Sequence, residues 1–285
     1  METVLRPGGA DDAEAAGRIC YEAFRTLAQR HGYPPDMPAP EVGIAVVGWL
    51  LAHPGFYAVV AERDGRVVGS NFLDERSAIA GIGPVTVDPQ AQDAGVGRRL
   101  MVDVMDRAAA RGAPGVRLLQ SAYHARSLAL YAKLGFQVRE AVAVMQGPPT
   151  GERPPGRVVR QAGADDVAEC NRLCRDVHGH DRGGELADAL TQGAARVVER
   201  SGRISGYTSG IGFFGHTVGE TDDDVVALVG AADRIEGPGF LLPLRNAELF
   251  RRALGSGLKV VYVMTLMTIG LYNEPDGSYL PSVLY

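Results

Sequence analysis

No stretch of the 285-residue chain reaches the ~20 apolar residues needed to cross a bilayer. The nearest, GIAVVGWLLAHPGFYAVVA, is broken by His53 and Pro54. The opening METVLRPGGADDAEAAG lacks the positive n-region and apolar core of a signal peptide. A cytoplasmic protein with no membrane partner is expected. Cysteine is scarce: Cys20, Cys170 and Cys174 are an odd three, which make no disulfide framework and fit reduced thiols. An excess of positive charge is also missing. With 29 basic and 34 acidic residues the net charge is −5, so no nucleic-acid footprint is indicated and cationic small partners are slightly favoured. What the chain does have is 46% hydrophobic residues, enough for one large domain or two ordinary ones.

Residues 147–156 read GPPTGERPPG, four prolines and three glycines in ten positions, which can continue neither a helix nor a central strand. A linker over 148–156 therefore divides a first domain, 1–147, from a second, 157–285. The two begin alike. Arg6, Ala10, Asp11, Asp12 and Cys20 match Arg160, Ala164, Asp165, Asp166 and Cys174 at a spacing of 154 (160 − 6). A second match sets VVAERDGRVVGS against RVVERSGRISGY, with Glu62 and Glu199 at a spacing of 137 (199 − 62). Two matched segments in order argue for duplication of a whole domain, the second copy being shorter by 17 residues (154 − 137) in its helical region.

Asp64-Gly65 and Ser201-Gly202 sit between β-branched runs and predict hairpins. Apolar residues at three- and four-residue intervals predict a helix over 11–30. The first half then reads as strand 78–88, helix 95–111, strand 115–121, helix 124–134 and strand 136–145. That order predicts an α/β fold (an α+β mixed sheet) in two tandem copies.

Between the strand at 78–88 and its helix lies PQAQDAGVGRRLM. A glycine turn there exposes backbone N–H groups at the positive end of a helix dipole, which suits a phosphate or pyrophosphate. A dinucleotide fingerprint needs a third small residue where Leu100 stands, and a Walker loop needs Gly-Lys-Ser/Thr. Neither fits. Gln92-Asp93-Ala94-Gly95-Val96-Gly97 resembles instead the Q/R-x-x-G-x-G acyl-CoA loop of the GNAT superfamily of N-acetyltransferases, and HARSLALYAKLGF at 124–136 resembles that superfamily's second signature. The resemblance covers residues 1 to about 147. It implies two GNAT-like folds and acetyl-CoA as cosubstrate, with no metal. Val85, Thr86 and Val87 would hold the pantetheine arm, and Gln92, Asp93, Ala94, Gly95, Val96, Gly97 and Arg98 the pyrophosphate. Gly81 and Gly83 would mark the bulge at which the cofactor strand splays.

Acetyl transfer to an amine needs an unprotonated nucleophile, an oxyanion donor and an acid for the departing thiolate. The resemblance places Tyr131 as that acid. His124 stands where many members carry a cofactor-binding Asn. Some relatives place a Glu where this chain has Leu119, so Asp74 and Glu75, at the end of the hairpin's second strand, are the candidate bases. The implied reaction is acetylation of the primary amine of a small molecule, such as an aminosugar, an aminoglycoside or a polyamine, in a ternary complex. The alternative is a non-catalytic acyl-CoA-binding sensor. The two halves would form a pseudo-dimer within a monomer, or a homodimer of such chains.

The second half carries no Q-x-x-G-x-G. GPGFLLPLRNAELFRRALGSG stands where the loop is expected, so this half has an acceptor-site or structural role, with acids from Glu220 to Glu236 steering a cationic amine. Cys170, Cys174 and His178 fall at i, i+4 and i+8, but no complementary ligand pair follows at a recognised metal-site spacing, and an amphipathic helix face is the preferred reading.

Overall fold

The computed structural model describes residues 3–92 and 94–284. The first half runs β1 (Thr3–Pro7), α1 (Ala13–His31), α2 (Pro40–Ala52), β2 (Phe56–Arg63), β3 (Arg66–Asp74), β4 (Ala80–Ile82), β5 (Thr86–Val87), α3 (Val96–Ala110), β6 (Gly115–Ser121), α4 (Ala125–Lys133) and β7 (Gln137–Gln146). The second runs β8 (Arg157–Gln161), α5 (Val167–His178), α6 (Gly183–Thr191), β9 (Arg196–Arg200), β10 (Arg203–Thr208), β11 (Thr217–Gly219), α7 (Asp222–Gly230), β12 (Phe240–Pro243), α8 (Ala247–Gly255), β13 (Lys259–Gly270) and β14 (Ser278–Leu280). The mixed α/β architecture is the one the sequence pattern predicts. Among the described residues no helix is long and apolar enough to cross a membrane.

The matched segments build matching local structure. Arg6 donates to both carboxylate oxygens of Asp12 at 2.9 and 2.7 Å and to Glu62 at 2.8 Å, while Asp12 accepts from the Gly9 amide. Arg160 does the same with Asp166 at 2.7 and 2.8 Å and with Glu199 at 2.7 Å, and Asp166 accepts from the Gly163 amide. Both hairpins turn through paired left-handed residues, Asp64-Gly65 and Ser201-Gly202, as a type I′ turn requires. The shortening falls in the helices: α1 and α2 have 19 and 13 residues, α5 and α6 have 12 and 9.

The two halves share a sheet. Its order is β1-β2-β3-β4-β6-β13-β7-β12, with β5 also beside β3, and a second sheet runs β14-β11-β10-β9-β8. β13, from the second half, lies antiparallel between β6 and β7 of the first, from Met264 opposite Ser121 to Gly270 opposite Gly115. β7 in turn pairs with β12, Phe240 opposite Met145. The arrangement is a reciprocal strand exchange: the last long strand of each repeat completes the other repeat's sheet. The linker at 148–156 therefore joins two halves that are already laced together by backbone hydrogen bonds.

The apolar core that matters for the site lies under α3. Leu100, Met101, Val104 and Ala108 form one buried stripe at helical spacing and meet Leu73, Ala80, Val116, Leu118 and Tyr131. That packing fixes where the helix begins, and hence where its free amides point.

Candidate active site

β4 pairs with β6 in parallel at Ala80–Val116 and Gly81–Arg117. Past Gly83 the strands part: Thr86 and Val87 stay with Ser70 and Gly69 of β3, whereas β6 runs on to Ser121 with β13 on its other side. Beyond Gly81 the edge of the chain that faces β6 has no ladder partner among the described residues. Of the two glycines at which a bulge is expected, Gly81 lies within β4, regularly paired with Asp74 and Arg117, and Gly83 falls at the break between β4 and β5.

The glycine turn opens at the same end. Gly95 is the N-cap of α3 in the left-handed region, φ 75°, which a side chain adopts only at a cost of roughly 1 kcal/mol. The first intrahelical bond is from the Arg99 amide to the Gly95 carbonyl, so the amides of Val96, Gly97 and Arg98 have no acceptor within the helix. Among the described residues no side chain caps them. Ala94, Gly95 and Arg98 are exposed, Val96 is buried beneath, and Gln92 ties the loop to β5 by donating to the Val87 carbonyl at 3.3 Å. Arg99 instead reaches back to the Thr3 carbonyl at 2.5 Å. Asp93 lies outside the described residues.

α4 begins at the far end of β6. His124 is its N-cap residue, and burial and Arg126 hold its imidazole below the ordinary value, hence neutral at pH 7. Tyr131 is the buried residue of that helix and packs edge-on to Phe136 at 6.3 Å. Burial pushes its phenol up to about 12, so it carries its proton at neutral pH. Its hydroxyl has no hydrogen-bond partner among the described residues.

Asp74 and Glu75 do not join this group, and their assignment as bases is corrected. They lie beside Gly81, at the closed end where β4 still pairs. Arg76 grips both oxygens of Asp74 at 2.9 and 2.6 Å and extends to Asp188 of α6 at 2.6 Å, joining the two halves. Glu75 is held by Arg107 at 2.7 Å and Arg111 at 3.2 Å, near the opposite end of α3 from its glycine turn. Arginine forks thus occupy the carboxylate oxygens that a base would use.

The open end of the splay holds residues that sequence reasoning passed over. Tyr123, between β6 and α4, stacks on Tyr33 at 4.4 Å and meets Tyr262 of β13 edge-on at 5.8 Å. Tyr262 donates to Asp36 at 2.6 Å across 226 residues of sequence. Burial raises the Asp36 carboxyl above its ordinary value, against the opposing effect of that hydrogen bond. Gln120 accepts from Ser127 at 2.9 Å, and its buried Nε2 has no partner among the described residues. No local signal marks Asp36 or Tyr262, because strand exchange alone brings them together.

The second half differs at the equivalent place. In element order α7, between β11 and β12, corresponds to α3, and α8 corresponds to α4; the sequence expectation that 237–257 replaces the loop is one helix too late. The first turn of α7 is Asp222-Asp223-Asp224, and Asp224 accepts from the Thr221 amide at 3.0 Å. Asp223 and Asp224 are paired with Arg252 and Arg157, and Glu220 with Arg200 and Arg203. These acids cap a helix and hold the second sheet, which corrects the reading of them as an acceptor lure.

Residues 20–136 match the acetyltransferase (GNAT) family. The chain is 32% identical over 146 residues to a mycothiol acetyltransferase of Gordonia bronchialis, across 51% of this chain and 46% of that protein. It is 35% identical over 91 residues to an IAA acetyltransferase of Azospirillum brasilense, across 31% of this chain and 60% of that protein. The chain thus spans about half the length of these relatives. A GCN5-related N-acetyltransferase from Sphaerobacter thermophilus shares the fold over 96% of this chain and 97% of its own, with a TM-score of 0.63 at 20% identity. A tandem GNAT protein from the clavulanic acid biosynthesis pathway does so over 94% and 98%, with a TM-score of 0.54 at 16% identity.

Proposed function

We propose that this chain, which belongs to the GNAT family through residues 20–136, transfers an acetyl group from acetyl-CoA to the primary amine of a small molecule in a ternary complex. The observation that carries the reading is the parting of β5 from β6 beside an α3 N-terminus that no side chain among the described residues caps. The unpaired edge of Val85, Thr86 and Val87 suits the amides of the pantetheine arm. The amides of the Gln92–Arg98 loop, with Asp93 outside the described residues, suit the pyrophosphate. His124 offers a neutral imidazole at the rim.

The amine nitrogen forms its bond to the thioester carbonyl carbon, the bond to sulfur breaks, and Tyr131 gives its proton to the departing thiolate. Burial keeps the phenol protonated and so able to give a proton, although it lowers its acid strength. Tyr131→Phe keeps the ring and removes the proton. It should lower kcat by about 10²–10⁴-fold, the usual worth of a positioned acid, with little change in KM for acetyl-CoA. Full activity of that variant across the pH range would exclude the role.

Asp36 takes the place of the discarded carboxylates as the base on the acceptor side. It lies in the α1–α2 connection, is fixed by Tyr262, and its raised carboxyl lies closer to neutrality than an ordinary one. A base works deprotonated, so activity should rise with pH through a limb above the ordinary carboxylate range. Asp36→Asn should flatten that limb and lower kcat/KM for the amine while acetyl-CoA affinity holds. A pH profile identical to that of the parent would contradict the assignment.

A second reading is a sensor that binds acyl-CoA without turnover, favoured by the ion pairs that occupy Asp74 and Glu75. Release of free CoA in the presence of a panel of aminosugars, aminoglycosides and polyamines separates the two. The names of the two relatives carry different compounds, mycothiol and IAA, and neither is transferred to this chain. The cytoplasm and a monomeric pseudo-dimer fit this reading, and a homodimer of such chains is the alternative assembly.

A further inference from the structure

On β6 the side chains of Val116, Leu118 and Gln120 share one face by strand alternation. Val116 and Leu118 pack in the core under α3 that also holds Tyr131. Gln120, two residues nearer the open end, meets α4 instead: the Ser127 hydroxyl stands 2.9 Å from its Oε1 and 3.0 Å from the His124 carbonyl at the start of that helix. Ser127 and Tyr131 are four residues apart on α4 and therefore neighbours on one face. Beyond Arg117, β6 pairs only with β13 among the described residues. The Gln120 amide and the Tyr131 ring thus lie one helical turn apart, beside the parted strands.

Gln120 is 5% exposed, and its Nε2 is buried with no hydrogen-bond partner among the described residues. With Oε1 turned to Ser127, the end left over is an N–H donor. Buried polar atoms are nearly always satisfied, and an exception calls for a water, an ion or a functional cause. Acetyl transfer supplies such a cause, because an oxygen gains negative charge as the amine attacks and needs a donor already in place. Tyr131 serves the sulfur. The carbonyl oxygen is attached to the same carbon as that sulfur, so its donor has to stand close to Tyr131, as Gln120 does.

We infer that Gln120 Nε2 donates to the thioester carbonyl oxygen and stabilises the oxyanion that forms there, with Ser127 holding the amide in place. The inference rests on the acetyl transfer proposed for this cleft and adds a residue to it. As the amine nitrogen bonds to the carbonyl carbon, the π pair of the carbonyl moves onto oxygen, and Gln120 donates a hydrogen bond to it while keeping its own proton. The pair then returns, the carbon–sulfur bond breaks, the thiolate takes the Tyr131 proton and Asp36 takes the proton shed by the amine.

The test uses the full-length chain and two ligands of nearly one shape, acetyl-CoA and S-ethyl-CoA, the second with a methylene where the first has its carbonyl. By calorimetry Gln120→Leu should lose about threefold to tenfold in acetyl-CoA affinity, the worth of one hydrogen bond, and keep its affinity for S-ethyl-CoA. Leucine is of similar size and removes an unpaired polar group, so the variant should fold. Ser127→Ala, which releases the amide, repeats the comparison through a second residue and should shift acetyl-CoA affinity in the same direction. Infrared spectra of acetyl-CoA labelled with carbon-13 at its carbonyl supply a readout that packing alone does not move: the stretch should lie lower in frequency on the parent chain than on either variant. The inference is overturned if neither variant raises the stretch, or if Gln120→Leu weakens both ligands equally; the acetyl-transfer reading survives either result. A parent chain that binds neither ligand overturns both.

Discussion

Residues 1–150 expressed alone should not yield a folded, soluble monomer. Truncation removes β13 from between β6 and β7 and β12 from the outer side of β7, leaving both flanks of β7 and one flank of β6 without backbone partners. It also removes Tyr262, Met264, Leu266 and Met267, whose side chains are 0–4% exposed in the intact chain. Burial of a side chain of this size contributes ~1.5–3 kcal/mol. Four of them together reach the scale of a whole domain's stability, about 5–15 kcal/mol, and open strand edges invite association. Gel filtration should show aggregates and circular dichroism no cooperative melt. Co-expression with residues 151–285 should restore a 1:1 complex through the same strands. A monomeric fragment that melts near the temperature of the full chain would contradict the account of strand exchange.

Local pattern carried much of the first half into view. The helix at 96–110, the strand at 115–121 and the strand at 137–146 fall within about a residue of the sequence expectation, because each has a full period of apolar residues and a glycine or proline at its ends. The repeated Arg-Asp-Glu network was legible as two spacings, 154 and 137, since its members are short-range partners within each copy. The exchanged strands were not legible. β13 reads like any buried strand, and nothing in its residues says which neighbours it takes. The same limit hid Asp36 and Tyr262, which meet across the exchange, and it sent the search for a base to Asp74 and Glu75, whose arginine partners include one in α3 and whose Arg76 clamp reaches α6. In the second half, motif reasoning placed the lost loop at the glycines of 237–239, whereas the equivalent turn lies before α7 and carries three aspartates.

On the proposed reading, those aspartates make the second half a poorer place for a pyrophosphate than the first. Negative side chains already complement the α7 N-terminus, whereas the α3 N-terminus has none in its first turn. Gly97→Glu makes the first half like the second. A Cβ at Gly97 would meet Val87 at 3.7 Å and Leu130 at 3.9 Å, ordinary contact distances, and a first-turn carboxylate favours the helix, so the variant should fold. Its charge would nevertheless face the phosphates. Like charges brought together at a binding site cost several kcal/mol, and 1.4 kcal/mol is tenfold, so acetyl-CoA affinity should fall by about a hundredfold or more.

Isothermal titration calorimetry of acetyl-CoA into the full-length chain, parent and Gly97→Glu, tests the central claim most directly. The account predicts one acetyl-CoA per parent chain and an affinity lower by about a hundredfold or more in a variant whose melting temperature is unchanged. Two molecules per chain, or parental affinity in the folded variant, would contradict it.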